Sequence, residues 1–298
     1  MKKIKVVDVG PRDGFQSIKE FIPTELKIEI IERLISSNVK NIQLSSFVSP
    51  KAIPQLRDSK EVCRHFLDKY DDLNFLALVP NLYGAKNAYE TGIRTATYVA
   101  SVSESHNKAN INRTVDQSFE ELAKIRNDYP DLKISFDVAT AFGCPFEGIT
   151  PYQNVIDFVG RGWNLGVKIF NLCDTIGVAT PDRVKTLVIK LKEAFPDAHF
   201  SIHIHDTRNM GMLNNLAAIE NGIDEVQTSI GGLGGCPFAP GATGNTSTED
   251  LVYMLNKMGY DTGIDFISLL DTAKFVRSKI EGNYSGHQIN IAKEYCIY

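Results

Sequence analysis

Nothing in the chain approaches the roughly 18 consecutive apolar residues that a membrane-spanning helix needs. Its start, Met1-Lys2-Lys3-Ile4, runs directly into a strand pattern and lacks the apolar core of a signal peptide. A cytoplasmic protein is therefore expected, an organelle being open only if a transit peptide was trimmed. Cysteine is scarce: Cys63, Cys144, Cys173, Cys236 and Cys296 are five residues, widely spread and without a Cys-x-x-Cys pair. That pattern disfavours a disulfide framework and a structural zinc site, and leaves reduced thiols as the expectation. Charge of one sign is not in excess either, with 32 Lys and Arg against 36 Asp and Glu and a net charge of -4. Without a basic stripe interleaved with aromatics, nucleic acid is not an expected partner. No Gly-x-Gly-x-x-Gly turn follows the first strand pattern, as a dinucleotide-binding sheet would want, and no low-complexity linker divides the chain.

What remains is an ordinary globular composition over 298 residues, 43% hydrophobic and 23% charged, enough for two average domains or one large barrel. Short apolar runs predict strands at Ile4–Val9, Val39–Phe47, Asn74–Val79, Arg94–Ala100, Lys133–Ala139, Val167–Leu172, His199–His205 and Glu225–Ile230. Helical spacing predicts helices between them. The first opens at Pro23-Thr24-Glu25, with Thr24 as its cap and Leu26, Ile30 and Leu34 on one face. Others follow near Pro54–Leu67, Tyr83–Glu90, Val115–Asn127, Tyr152–Leu165, Asp182–Ala194, Met210–Asn221 and Thr248–Met258. Eight strand-then-helix units of this kind predict a single closed (β/α)8 TIM barrel, class α/β, rather than a doubly wound open sheet. An additional C-terminal helix at Phe266–Ile280 completes a barrel spanning residues 1–282, and residues 283–298 form a polar C-terminal tail.

The run Ser201-Ile202-His203-Ile204-His205-Asp206 has period two, which puts both histidines on one face of a strand and both isoleucines on the other. Two imidazoles a strand-step apart can bind one cation. Alone, such a pair reads first as two hydrogen-bonded core or surface histidines. The strand ends decide, because in barrels the active site lies at the C-terminal face. The first strand ends in Gly10-Pro11-Arg12-Asp13-Gly14, the second in Gln43-Leu44-Ser45-Ser46-Phe47, and the fourth in the loop 101–112. The sixth ends in Asp174-Thr175, and the eighth in a loop with Gly231, Gly232, Gly234, Gly235, Cys236, Gly241 and Gly244. Asp13 converging with His203 and His205, and with the amide oxygen of Asn245, makes a mixed N/O set suited to an octahedral divalent cation such as Mg²⁺ or Mn²⁺. Glycines at the density of the last loop often belong to a segment that moves over a substrate, and a thiol held there can relay a proton. A small buried side chain in a tight turn is the equal alternative for Cys236.

The motifs Val9-Gly10-Pro11-Arg12-Asp13-Gly14, Ser46-Phe47-Val48-Ser49-Pro50-Lys51, Phe142-Gly143-Cys144-Pro145, Asp174-Thr175-Ile176-Gly177, His203-Ile204-His205-Asp206-Thr207 and Gly232-Leu233-Gly234-Gly235-Cys236-Pro237, in this order, resemble 3-hydroxy-3-methylglutaryl-CoA lyases over nearly the whole chain. The resemblance implies a metal-dependent barrel lyase that cleaves 3-hydroxy-3-methylglutaryl-CoA to acetyl-CoA and acetoacetate. It implies Asp13, His203, His205 and Asn245 as metal ligands, Arg12 as the cation stabilising an enolate, Cys236 as the loop cysteine and Asp174 as a further polar catalytic residue. Asp13 or His203 would serve as base. Gln43, Ser46, Thr175 and Lys19 are the substrate-binding expectations, with Lys51 and Lys108 as further phosphate candidates, although a solvated surface is the plainer reading of each lysine. A homodimer acting on a small-molecule acyl-CoA is expected.

Several positions depart from that family. An acidic residue that orients the arginine is replaced by Gln43, whose neutral amide makes a bond roughly half as strong. Arg and Tyr on the fifth strand give way to Ser135 and Asp137, Ser to Asn171, Gly to Asn209, and a basic pair to Lys108-Ala109. Retained chemistry on an altered acyl group is one consequence. Two other classes stay in view: Claisen-condensing barrels such as isopropylmalate and homocitrate synthases, and a non-catalytic binding protein descended from a lyase. The Cys236 loop and the lack of a long C-terminal regulatory domain favour cleavage, and the complete set of ligands favours an enzyme.

Overall fold

The computed structural model describes residues 1–235, 244–292 and 295. Eight parallel strands close on themselves: β1 (Lys5–Asp8), β2 (Asn41–Ser46), β3 (Asn74–Val79), β4 (Thr95–Ser101), β5 (Lys133–Ala139), β8 (Ile169–Asp174), β9 (His199–Ile204) and β10 (Glu225–Thr228), with β10 pairing back onto β1. A small antiparallel hairpin, β6 (Gly143–Cys144) with β7 (Gly148–Ile149), interrupts the connection after β5. The expected barrel is the observed one, with strand bounds displaced by at most a few residues.

Among the described residues ten α-helices surround it: α1 (Thr24–Ser36), α2 (Ser59–Leu67), α3 (Leu82–Thr91), α4 (Glu104–Ile111), α5 (Val115–Asp128), α6 (Tyr152–Asn164), α7 (Pro181–Ala194), α8 (Gly211–Glu220), α9 (Thr248–Lys257) and α10 (Phe266–Lys279). Two expectations need correction. Thr24 does not cap α1. Pro23 holds the cap position, while the Thr24 hydroxyl leaves the helix to donate to Asp58 Oδ2 at 2.9 Å. The stretch Pro54–Leu67 is a single tight turn, Pro54–Leu56, followed by α2.

Helix α4 lies inside the segment expected as a loop. Its buried side chains are His106 and Asn107, so it carries no apolar periodicity for a sequence pattern to register. Polar bonds replace the missing apolar face. Ser103 caps its first turn by accepting from the His106 N–H, and Asn107 accepts from the Ser101 N–H while donating to Ser118 Oγ.

Alternation along the strands separates two environments. Outward, the registers align Tyr98, Phe136, Phe170 and Phe200 in one row across β4, β5, β8 and β9. Their rings lie 5.6–6.2 Å apart centroid to centroid and pack on Phe119 of α5 and Phe158 of α6. Helix α6 also approaches that row at Gly162, where a Cβ would stand 2.8 Å from Phe170 and 3.1 Å from Phe136. Each fully buried ring contributes about 1.5–3 kcal/mol of apolar transfer. Inward, the small apolar cluster is Val7, Val9 and Leu76, and polar side chains occupy much of the rest. Gln43 Nε2 donates to Thr97 Oγ1 at 2.7 Å, Asn171 Nδ2 to Asp137 Oδ1 at 2.9 Å, and Ser201 Oγ to Asn171 Oδ1 at 3.1 Å. A lumen with so many polar groups, several of them bonded to one another and Ser135 Oγ and Gln227 Nε2 without a partner among the described residues, is a prepared site rather than a plain core.

Candidate active site

The site begins where β1 ends. After Val9 the chain makes one wide helical turn, Gly10–Gly14, in which the Arg12 and Asp13 N–H groups both donate to Val9 O. The turn throws both side chains over the barrel mouth. Arg12 is buried there, its Nε bonded to Gln43 Oε1 and its Nη1 to Asp13 Oδ1. Through Gln43 the guanidinium is tied on to Thr97, so a chain of bonds runs Asp13–Arg12–Gln43–Thr97 across β1, β2 and β4. The register slip between Gln43 and Ser45 falls at the point where this chain crosses β2.

Two strands round the barrel, β9 and the residue after it bring His203 and His205, with their Nε2 atoms 3.1 Å apart. Donor atoms of Asp13, His203 and His205 all lie within 4.8 Å of one another. Asn245 joins them by a backbone bridge to His205 and by donating from Nδ2 to Asp13 Oδ2 at 2.8 Å. Its buried Oδ1 accepts no hydrogen bond among the described residues.

This donor set fits a divalent cation. Burial, with His205 next, pushes His203 down to about 3, so the ring is neutral at pH 7. The two Nε2 atoms face each other at hydrogen-bond distance, the geometry in which a cation could take both as ligands. Burial alone would raise the Asp13 carboxyl, but Arg12 and the two histidines outweigh it and hold it at about 2. The cluster thus offers a carboxylate, two imidazole nitrogens and an amide oxygen, a mixed N/O set suited to a divalent cation.

These groups open into a cavity of about 420 Å³ at the C-terminal ends of the strands, whose walls include Arg12, Asp13, His203, His205, Asp137 and Thr175. The model of one protein family, described as HMGL-like, matches residues 3–276. The chain belongs to the HMGL-like family. It is 40% identical over 281 residues to a hydroxymethylglutaryl-CoA lyase of Bacillus subtilis, covering 94% of each chain. With the human mitochondrial hydroxymethylglutaryl-CoA lyase it shares 37% identity, over 92% of this chain and 85% of that one. Among solved structures, it matches an HMG-CoA lyase of Bacillus subtilis with a TM-score of 0.93 at 38% identity, over 97% of this chain and 98% of the other. It matches one from Acinetobacter baumannii, in complex with coenzyme A and 3-methylmalate, with a TM-score of 0.92 at 37% identity, over 97% and 95%.

In this HMGL-like barrel the other expected site residues fall into separate places. Thr175 lines the cavity, and its Oγ1 accepts from the Thr140 N–H at 2.8 Å. Asp174 is buried beside it but turned into its own loop, where Oδ1 and Oδ2 accept from the Val178 and Ala179 N–H groups. Burial raises its carboxyl and those two bonds pull it back. Gln43 touches Arg12 rather than the cavity, and Ser46 is buried with its backbone oxygen accepting from Ser59. Lys19, Lys51 and Lys108 are exposed and do not line the cavity. Cys236 lies outside the described residues, as does Gly241. The neighbouring glycines are described. Gly232 (φ +66°) has no room for a Cβ, which would fall 1.9 Å from Ser285 Oγ. Sequence patterns gave no warning of three further wall residues, His106, Arg113 and Cys173. His106 lies within the polar helix α4 and Arg113 in the loop that follows it, where no periodicity marks the inward side.

Proposed function

We propose that the chain is a divalent-cation-dependent carbon–carbon lyase that cleaves 3-hydroxy-3-methylglutaryl-CoA to acetyl-CoA and acetoacetate. The observation that carries this reading is the convergence of the Asp13–His203–His205 cluster and a buried arginine on one cavity at the barrel mouth. Asp13, His203, His205 and Asn245 would hold Mg²⁺ or Mn²⁺. Such an ion, when bound, lowers the pKa of a tertiary hydroxyl and orients the substrate carboxylate.

In the retro-aldol the hydroxyl proton leaves, the bond between C2 and C3 breaks, and C3 with its oxygen becomes the ketone of acetoacetate. The electron pair left on C2 delocalises into a thioester enolate. Arg12, pinned by Gln43 and Asp13, offers its guanidinium to the enolate oxygen. That charge exists only as the bond breaks, so one such donor is worth about 3–4 kcal/mol to the transition state. His203 or Asp13 takes the hydroxyl proton, and Cys236, or water under its loop, returns a proton to C2. Asp174 acts through the loop that it holds beside Thr175.

Among the described residues no helix is long and apolar enough to cross a membrane. A cytoplasmic homodimer of barrels of residues 1–282, each with a tail of 283–298, is the assembly in which we place this activity. The exposed Ile189 on α7 and Leu213 on α8, two adjacent helices, support pairing through the outer layer. The deciding assay is acetoacetate release from 3-hydroxy-3-methylglutaryl-CoA with Mg²⁺ or Mn²⁺ and a reducing agent. Turnover in the native chain that a chelator and His203→Ala each abolish supports the reading; a silent native chain overturns it for this substrate.

A further inference from the structure

Past α10 the chain returns to the turn Ile230–Gly232 that follows β10, and three successive residues fasten it there. The Gly286 N–H donates to Gly231 O at 3.0 Å, and the His287 and Gln288 N–H groups donate to the two oxygens of Asp250 at 2.8 Å each. Gly286 admits no Cβ, which would stand 2.7 Å from Glu249 Oε1 and 3.0 Å from Gly231 O. Tyr284 lays its ring against Gly231 and donates its hydroxyl to Ile280 O at 2.8 Å. Ser285 falls between these anchors. Its Oγ donates to Asn245 O at 2.6 Å, with Gly232 O at 3.5 Å beside it.

That bond falls on the backbone of a candidate cation ligand. The planar peptide unit joining Asn245 to Thr246 points its N–H and C=O in opposite directions, and each is gripped. The Thr246 N–H donates to Ile204 O of β9 at 3.1 Å, and Asn245 O accepts from Ser285. Turning this peptide breaks both bonds. With it fixed, Asn245 Nδ2 donates to Asp13 Oδ2 at 2.8 Å and to Leu233 O at 3.2 Å, which leaves the buried Oδ1, without a hydrogen bond among the described residues, as the atom to offer an ion. We propose that Ser285 is a positioning residue of the cation site, its hydroxyl fixing the Asn245 peptide and, through it, the amide oxygen offered to a divalent ion. The inference rests on the reading of Asn245 as a ligand, and deepens it by tying that ligand to the C-terminal tail.

Binding of Mn²⁺ alone, followed by loss of the free ion's electron paramagnetic resonance signal, separates positioning from folding and needs no turnover. Ser285→Ala should bind Mn²⁺ about 10-fold more weakly than the native chain, the lower end of the cost of losing a partner that orients a metal ligand. Ser285→Thr, which keeps the hydroxyl, should recover most of that loss. Tyr284→Phe is the control: it keeps the ring against Gly231 and removes a hydroxyl bond of the same tail, so in chelator it should lower Tm about as much as Ser285→Ala while its Mn²⁺ affinity stays native. An Ala variant that binds Mn²⁺ like the native chain overturns the inference. So does a Phe variant that loses as much affinity as the Ala variant, since Ser285 is then general support for the tail. Failure of the cation reading shows differently: the native chain binds no Mn²⁺, or Asn245→Ala binds it as tightly as the native chain, and the inference falls with it.

Discussion

At the scale of single residues, the departure with the most direct mechanical consequence is Gln43. Its side chain has no exposure and both ends are engaged, Oε1 with Arg12 and Nε2 with Thr97. An acidic residue would hold Arg12 with charge assistance; the amide holds it by a buried neutral acceptor whose geometry Thr97 fixes. Gln43→Leu should therefore lower kcat by about 10- to 100-fold while changing KM little, since a bond to a charged group is worth about 1.5–3 kcal/mol and Arg12 acts on charge that appears only in the transition state. Gln43→Glu should restore activity to the native level or above, because Thr97 can turn its hydroxyl to donate. Steady-state kinetics on both variants checks this, and a Leu variant that keeps full kcat would show that Asp13 alone positions the arginine. The site was legible in the sequence where chemistry is carried by residue type and spacing. Arg12, Asp13, His203 and His205 each sit at the end of a recognisable strand. Thr97 was not legible, because an inward threonine in the middle of a strand resembles any other β-branched residue.

At the scale of elements, β1 and the turn after it are held by a buried carboxyl. Asp8 accepts from the Gly10 N–H at 2.8 Å and from Thr248 Oγ1 at 2.6 Å, tying the strand end to the turn that carries Arg12 and to the start of α9. Burial raises its pKa from 3.8 to about 7, against the pull of those two bonds. In the unfolded chain the group ionises first, so its contribution to stability is whole below about pH 3.8 and declines as pH rises to about 7. Across that window the native fold should lose roughly 1.4 kcal/mol for each pH unit crossed. Glu249, raised to about 8 by burial, extends the same trend upward. Because His203, held neutral by burial, pulls the other way up to about pH 6.5, the Asp8 contribution is read as a difference: denaturant midpoints measured from pH 4 to 8 in Asp8→Asn should fall less, or rise more, with pH than in the native chain, and an unchanged slope in that variant would assign the trend elsewhere. Elements themselves were readable wherever one face is apolar. The aromatic row announces β4, β5, β8 and β9 through alternation, whereas α4, whose buried face is His106 and Asn107, had no apolar stripe to show.

For the whole molecule, the barrel was legible because eight repeats of strand and helix leave few topologies that close, while what the lumen holds was not, since register alone decides which polar side chains meet. Asp137 and Asn171 are 34 positions apart in the chain and bond only because β5 and β8 are neighbours in the barrel. The same closure makes the cation site a device that staples distant segments. Asp13 follows β1, the histidines lie on β9 and the loop that follows it, and Asn245 comes from the segment after β10, so an ion binding all four can do so only in the folded barrel. Linkage then requires stabilisation by the ion, about 2.7 kcal/mol at a concentration 100 times Kd. For a barrel of 298 residues that should raise Tm by several degrees, at about 2–4 °C per kcal/mol in domains somewhat smaller than this one. Thermal unfolding with Mn²⁺ or Mg²⁺ against chelator reads this without any turnover. His203→Ala and Asp13→Asn should each erase the shift, while Lys19→Ala, on the exposed surface, should leave it intact. A shift that persists in both ligand variants would place the stabilising ion outside this cluster, and no shift in the native chain would overturn the cation site itself.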